Sequence, residues 1–255
     1  MKIGIIAAMP DEFRAVADSL GTLTPVSLGE FRAGRCSSFG HEFLLVESGM
    51  GLDNAAGAAD ALVNHDRPDL LISAGFCGAV QAGMQAGDVV VAKQIVIAGE
   101  SDFEEIPVRL SGSGQNFVVR QAAEGERVAG GVFVTTSAIV SKKRLSGRMP
   151  GHYRNPVVEM ESGAIAIVAV EHGIPLLAIR VVSDDAAEEL GFTLHELCDA
   201  DMRRIRLYKV LLTILKKPRI IPQLVRLAFS SRTAARSLTA ALSRLFPALE
   251  NASRR

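Results

Sequence analysis

Short runs of aliphatic and β-branched residues alternate with stretches of helical spacing through the first 184 residues, and no other feature constrains the fold as tightly. The runs are 2-KIGIIAA-8, 42-EFLLVES-48, 69-DLLISAG-75, 88-DVVVAKQIVIA-98, 132-VFVTTSA-138 and 176-LLAIRVVSD-184. Helical spacing covers roughly 11–20, 52–65, 161–172 and 193–216, and segments rich in Gly, Ser, Asp and Glu around 99–115 and 142–156 read as long loops. The pattern specifies an α/β sheet protein. Such sheets bind ligands beyond the C-terminal ends of their strands. That brings forward Met9–Glu12, Ser48–Gly51, Gly75–Gly78, Ser137–Val140 and Ser183–Asp185. Glycines 49, 51, 75 and 78 serve either close backbone approach or tight turns. No GxGxxG opens a helix and no GxxxxGK[ST] is present, so the sequence offers no obvious cradle for nucleotide phosphates.

Composition sets the remaining bounds. With 255 residues, 48% hydrophobic, the chain can bury one large core. Cys36, Cys77 and Cys198 are odd in number and widely spaced, which suits neither a disulfide framework nor a zinc site and fits a reducing cytoplasm. The apolar run Ile3–Met9 is closed by Pro10, Asp11 and Glu12, unlike a signal peptide, and no run is long enough to span a bilayer. Charge balances at 28 basic and 28 acidic residues but is unevenly placed. Residues 203–255 hold 13 Lys or Arg and one acid, and residues 1–202 hold 15 basic and 27 acidic groups. A body of 1–204 and a basic helical extension of 205–255 are therefore expected, the extension broken by Pro218 and Pro222 into at least two helices. Leu238, Leu242, Leu245 and Leu249 fall on one face of it. A basic amphipathic segment suits an anionic membrane surface, or equally packs on the acidic body or a second subunit. It lacks the interleaved aromatics of single-strand binders, and no nucleic-acid partner is expected.

Carboxylates crowd one place. In 157-VVEMESGAIAIVAVEHGIP-175, Glu159 and Glu161 stand at the mouth of an apolar helix, where acids are favoured by the helix dipole alone. They are either solvated first-turn residues or ligand-facing groups.

The order of MKIGIIAAMPDE, ESGMGLDNAA, ISAGFCGAV, AGDVVV, VVEMES and RVVSD resembles the nucleoside phosphorylase/nucleosidase superfamily, most closely its methylthioadenosine/S-adenosylhomocysteine nucleosidase branch, over about residues 1–200. The resemblance implies a three-layer fold with a mixed central sheet flanked by helices, no cofactor or metal, and a homodimer. It further implies that Asp184 protonates adenine N7, that Glu12 orients or deprotonates the attacking water, and that Glu161 grips the ribose hydroxyls. Met9, Met50, Gly51, Met160 and Phe76 would line the ribose, Ile139 and Val140 would present backbone groups to adenine, and Ser183 completes the RVVSD loop. Asp185 is the rival to Asp184, Glu12 could be an ordinary first-turn acid, and each Met could be core filler. Arg180 would pair with a carboxylate such as Glu159. Cys77 is expected only to pack within a glycine-rich turn, and the five histidines (His41, His65, His152, His172, His195) carry no expected role.

Phosphorylases of this superfamily hold phosphate with cations and hydroxyls. Here the N-terminal glycine-rich loop with its Arg is replaced by AAMPDEF, and Glu12 would repel a dianion. Hydrolysis is the expected reaction on a 5′-substituted adenosine, ahead of a phosphate-dependent phosphorylase or a non-catalytic nucleoside-binding module. Phe76 departs from the small residue common in the nucleosidases. The tail resembles that of hopanoid-pathway enzymes acting on adenosylhopane. The protein is expected in the cytoplasm, free or peripheral to the inner membrane surface.

Overall fold

The computed structural model describes residues 1–186 and 221–249, and the helix expected at 193–216 lies outside them. In chain order the elements are β1 (Lys2–Ala7), α1 (Pro10–Leu20), β2 (Thr24–Leu28), β3 (Phe31–Ser38), β4 (His41–Glu47), α2 (Leu52–Asp66), β5 (Leu70–Ala79), β6 (Val89–Ala98), β7 (Phe103–Glu105), α3 (Gly112–Ala123), β8 (Val128–Thr135), α4 (Lys142–Arg148), β9 (Val157–Glu159), α5 (Ser162–Glu171), β10 (Leu176–Asp184) and α6 (Ile221–Leu245). A 3₁₀ turn at Phe246–Ala248 follows.

All ten strands join one mixed sheet. One wing is open, running β5-β1-β4-β3-β2. The other curls shut: β5 pairs with β10, β10 with β6, β6 with β8, β8 with β9, and β9 again with β5. Within this ring β5–β10, β6–β8 and β8–β9 are parallel, while β10–β6 and β5–β9 are antiparallel.

Strand alternation distributes the core over both faces. Along β1, Ile6 faces a cluster shared with α2 and α5, while Ile3, Ile5 and Ala7 face a second cluster shared with α1, α3 and α6. Three layers result, as expected. The leucine face of the extension belongs to the second cluster: Leu238, Leu242, Leu245 and Leu249 are buried there beside Val16, Phe43 and Ile179. Burying each side chain contributes up to about 1.5–3 kcal/mol, so α6 is a structural part of the body. The Thr239 hydroxyl donates to the Ala15 carbonyl at 2.9 Å, and Arg244 pairs with Glu126 at 2.6 Å. The apolar face is therefore not free for lipid. The opposite face exposes Val225, Arg226, Phe229, Arg232 and Arg236. Pro222 stands at the start of α6, where a missing N–H costs nothing. No described helix is long and apolar enough to cross a membrane.

Two expected loops contain helices. α3 begins Gly-Ser-Gly and α4 carries three cations at its positive end, both unfavourable to a helix start, although Ser141 caps α4 by accepting from the Arg144 amide. The expected turn at Gly75–Gly78 is instead the C-terminal half of β5, in register with Arg180–Asp184 of β10.

Candidate active site

Most of the site is assembled at the ends of the ring strands. Glu12 is residue N3 of α1, and its Oε2 accepts from the amides of Ala8 and Met9, both at 2.9 Å. This satisfies orphan amides at the helix start, the local reason for an acid there. The side chain is nevertheless 3% exposed, and its Oε1 accepts from the Phe76 amide at 2.6 Å. Gly75 makes this approach possible, because a Cβ there would fall 2.5 Å from Oε1. Burial raises the Glu12 pKa, against the pull of Arg180 and three backbone amides.

Arg180, on β10, is the cation of a buried cluster. Its Nη2 lies 2.8 Å from Glu159 Oε2, 3.0 Å from Ser73 Oγ and 3.8 Å from Glu161 Oε2. The expected Arg180–Glu159 pair is thus formed. Burial alone would raise Glu159, but Arg180, the Thr135 hydroxyl and the amides of Ser162 and Glu161 outweigh it and hold the carboxyl below its ordinary value. Glu161 is different. It is the N-cap of α5 and accepts from the Gly51 amide at 3.0 Å. Burial first, then the charge of Glu159, push its pKa up to about 8. Of the two, Glu159 is the stronger acid and Glu161 the more reluctant to ionise. The Arg180 guanidinium keeps one buried N–H, Nε, without a partner among the described residues.

Asp184 ends β10 at the other side of the cleft. Ser183 Oγ donates to its Oδ1 at 2.6 Å, and Lys142 Nζ pairs with its Oδ2. Asp185, the rival, is exposed.

The carboxylates of Glu12, Glu159, Glu161 and Asp184 line one open cleft of about 200 Å³. Its wall brings together Met9, Glu12, Met50, Phe76, Ile139, Val140, Met160, Glu161, Ser183 and Asp184. Of the residues expected there, Gly51 is absent from the wall; its contribution is the amide that holds Glu161. The walls between the carboxylates are mainly apolar, fitting a planar base and a sugar face.

Sequence reasoning missed Lys142, Val158 and Ala8 on the wall, and gave Cys77 only a packing role. Cys77 does line the cleft, but burial pushes its thiol well above the ordinary value, so it is no thiolate. Lys142 lay in an expected loop and carried no local signal. His152 stacks edge-on against Tyr153 at 5.0 Å, and neither it nor His41, His65 or His172 reaches the wall. His195 and Cys198 lie outside the described residues.

The site is thus a carboxylate-lined cleft at the strand ends of a curled mixed sheet with helices on both faces. The chain belongs to the phosphorylase superfamily, whose sequence pattern matches residues 2–216. It is 27% identical over 215 residues to a 5′-methylthioadenosine/S-adenosylhomocysteine nucleosidase of Bacillus thuringiensis, covering 78% of this chain and 92% of that protein. Among solved structures, the Helicobacter pylori enzyme of that name aligns with a TM-score of 0.75 at 17% identity, covering 98% of this chain and 99% of the other. The Neisseria meningitidis enzyme, in complex with methylthio-immucillin-A, aligns with a TM-score of 0.73 at 22% identity, covering 97% and 99%.

Proposed function

We propose that this protein hydrolyses the N-glycosidic bond of a 5′-substituted adenine nucleoside and releases adenine. The observation that carries the reading is the placement of Glu12, Glu159 and Glu161 around Arg180 on one side of the cleft, with Asp184 on the other. Arg180 is already matched by Glu159 and is not left to hold a phosphate dianion, which the Glu12 carboxylate would repel, whereas a water would find acceptors.

In this reading Glu12 accepts a proton from water as its oxygen attacks C1′. Glu161, when protonated, can donate to one ribose hydroxyl and accept from another. The Asp184 side delivers a proton to N7 as the base departs, so that the leaving group is neutral adenine rather than its anion. Met9, Met50, Met160 and Phe76 enclose the sugar, and the backbone at Ile139 and Val140 faces the ring. Named relatives that are methylthioadenosine/S-adenosylhomocysteine nucleosidases support the same substrate class.

The proposal extends to assembly. We assign residues 1–204 to the catalytic body and 205–255 to its extension, of which the described α6 packs into the body's core. The exposed Ile167 and Val170 on α5 suit a homodimer contact, and the exposed Arg226, Phe229 and Arg232 suit peripheral contact with an anionic membrane. The deciding experiment offers a nucleoside panel with and without phosphate. Adenine and a free ribosyl sugar should form in phosphate-free buffer. Strict phosphate dependence with a sugar-1-phosphate product would overturn the hydrolase reading.

A further inference from the structure

Lys142 is a buried cation whose three N–H groups all point at one turn. Nζ pairs with Asp184 Oδ2, donates to the Asp184 carbonyl at 3.2 Å, and donates to the Asp185 carbonyl at 2.5 Å. The residue is 5% exposed, and it begins α4 with its charge at the positive end of a helix, a position that local energetics disfavour. β5 leaves space for it: a Cβ on Gly78 would fall 2.8 Å from both Asp184 Oδ2 and Lys142 Cε. The arrangement is therefore tertiary, held from two directions.

It also creates a chemical problem for the proposed reaction. Departing adenine needs a proton, yet a carboxylate ion-paired to an ammonium has none to give. The nearest transferable proton is on Lys142.

We propose that Lys142 is the proton reservoir for the leaving base, acting through Asp184; this rests on the reading of Asp184 as the group facing N7. With substrate in the cleft and water displaced, one N–H bond of the ammonium breaks and an O–H bond forms on the Asp184 carboxylate. Neutral amine and neutral acid are the form of the pair that a drier site favours. As the C1′–N9 bond breaks, its electron pair goes to the base, the Asp184 O–H bond breaks, and an N7–H bond forms. The proton lost by water rests on Glu12. Glu12 returns its proton to solvent and Lys142 takes one up after product leaves, so the proton count closes over a turnover. Cys77, the other titratable group beside the pair, keeps its proton and does not compete. Ser183 holds Oδ1 and leaves Oδ2 to the lysine.

The test compares two leaving groups on the same sugar: 5′-methylthioadenosine, and the p-nitrophenyl glycoside of 5-methylthioribose, whose phenolate departs without protonation. Lys142→Gln keeps N–H donors for the turn carbonyls but has no acidic proton. It should slow adenine release by about 100-fold or more and phenolate release by less than about 3-fold, the size expected for loss of acid assistance alone. Lys142→Arg keeps the charge, but a guanidinium does not give up its proton in a protein and should not rescue adenine release. Rescue by Arg would show that only charge matters and overturn the proposal. Equal losses on both substrates would make Lys142 merely structural, with the same result. Asp184→Asn separates this from the underlying reading. If it cripples adenine release while Lys142→Gln does not, the reservoir alone fails; if it too leaves adenine release intact, the role of Asp184 fails with it.

Discussion

Replacing Glu161 by Gln should stabilise the protein in alkali while impairing it as an enzyme. Glu161 is 8% exposed and stands beside Glu159, and its pKa rises from 4.5 to about 8. A carboxyl with a raised folded-state pKa destabilises the fold at high pH. The penalty is absent below about pH 4.5, grows between there and pH 8, and is constant above. At about 1.4 kcal/mol per unit, it reaches at most about 5 kcal/mol at pH 9 and about 3 kcal/mol at pH 7. The amide oxygen of Gln can still accept from Gly51, but its new NH2 group must find a partner in the buried cluster, which gives back about 1–2 kcal/mol. The variant should therefore be more stable than wild type by about 3 kcal/mol at pH 9, which is a rise in Tm of about 6–12 °C for a chain of this size. Near pH 5 the advantage should vanish or reverse. Thermal unfolding across pH 5–9, with turnover measured alongside, reads both effects. A difference in Tm that does not change with pH, or a variant less stable than wild type at pH 9, would refute the assignment of a buried, reluctant carboxyl at this position.

Two further outcomes follow from the packing. Gly75→Ala would drive a methyl group into the Glu12 carboxylate; turnover should fall at least about 10-fold, with a loss of stability of about 1–3 kcal/mol, read by steady-state kinetics and denaturant unfolding. Truncation after Lys217 removes Leu238, Leu242, Leu245 and Phe246 from the second cluster and should give an insoluble or unfolded product by circular dichroism, whereas a soluble, active fragment would show that the body is complete without α6.

Much of the fold is legible in the sequence because strand and helix periodicities are strong where a segment faces the core. The run 176–184 coincides with β10 to the residue, and 52–65 falls one residue short of α2. Segments whose form depends on neighbours are not legible this way. Gly114 of α3 looks like a helix breaker, yet a Cβ there would come within 3.1 Å of Val91, so close packing requires it. Gly75–Gly78 has turn composition, but its glycines make room for Glu12, Lys142 and Asp184 beside an extended strand. β2 and β3 escape notice because their side chains are largely exposed or half-buried and lack a sustained apolar run. In the site, Glu12, Glu161 and Asp184 carry a motif each, whereas Lys142 sits among other cations and gains meaning only from the turn it meets.

Three of the five ring strands line the cleft: β5 gives Phe76 to Gly78, β9 gives Val158 and Glu159, and β10 gives Ser183 and Asp184, while Thr135 of β8 and Arg180 of β10 hold Glu159 from behind. A strand in a closed hoop cannot slide without dragging both neighbours, which fixes the height of Arg180 opposite Gly75, while a local irregularity after Val182 brings Asp184 opposite Gly78. Met9, Met50, Ile139 and Val140 hang outside that hoop on connecting segments. Side chains on that outer rim can therefore be exchanged without shifting the register of the ring strands, whereas Glu12, held by the amides of Ala8, Met9 and Phe76, is tied to rim and hoop alike.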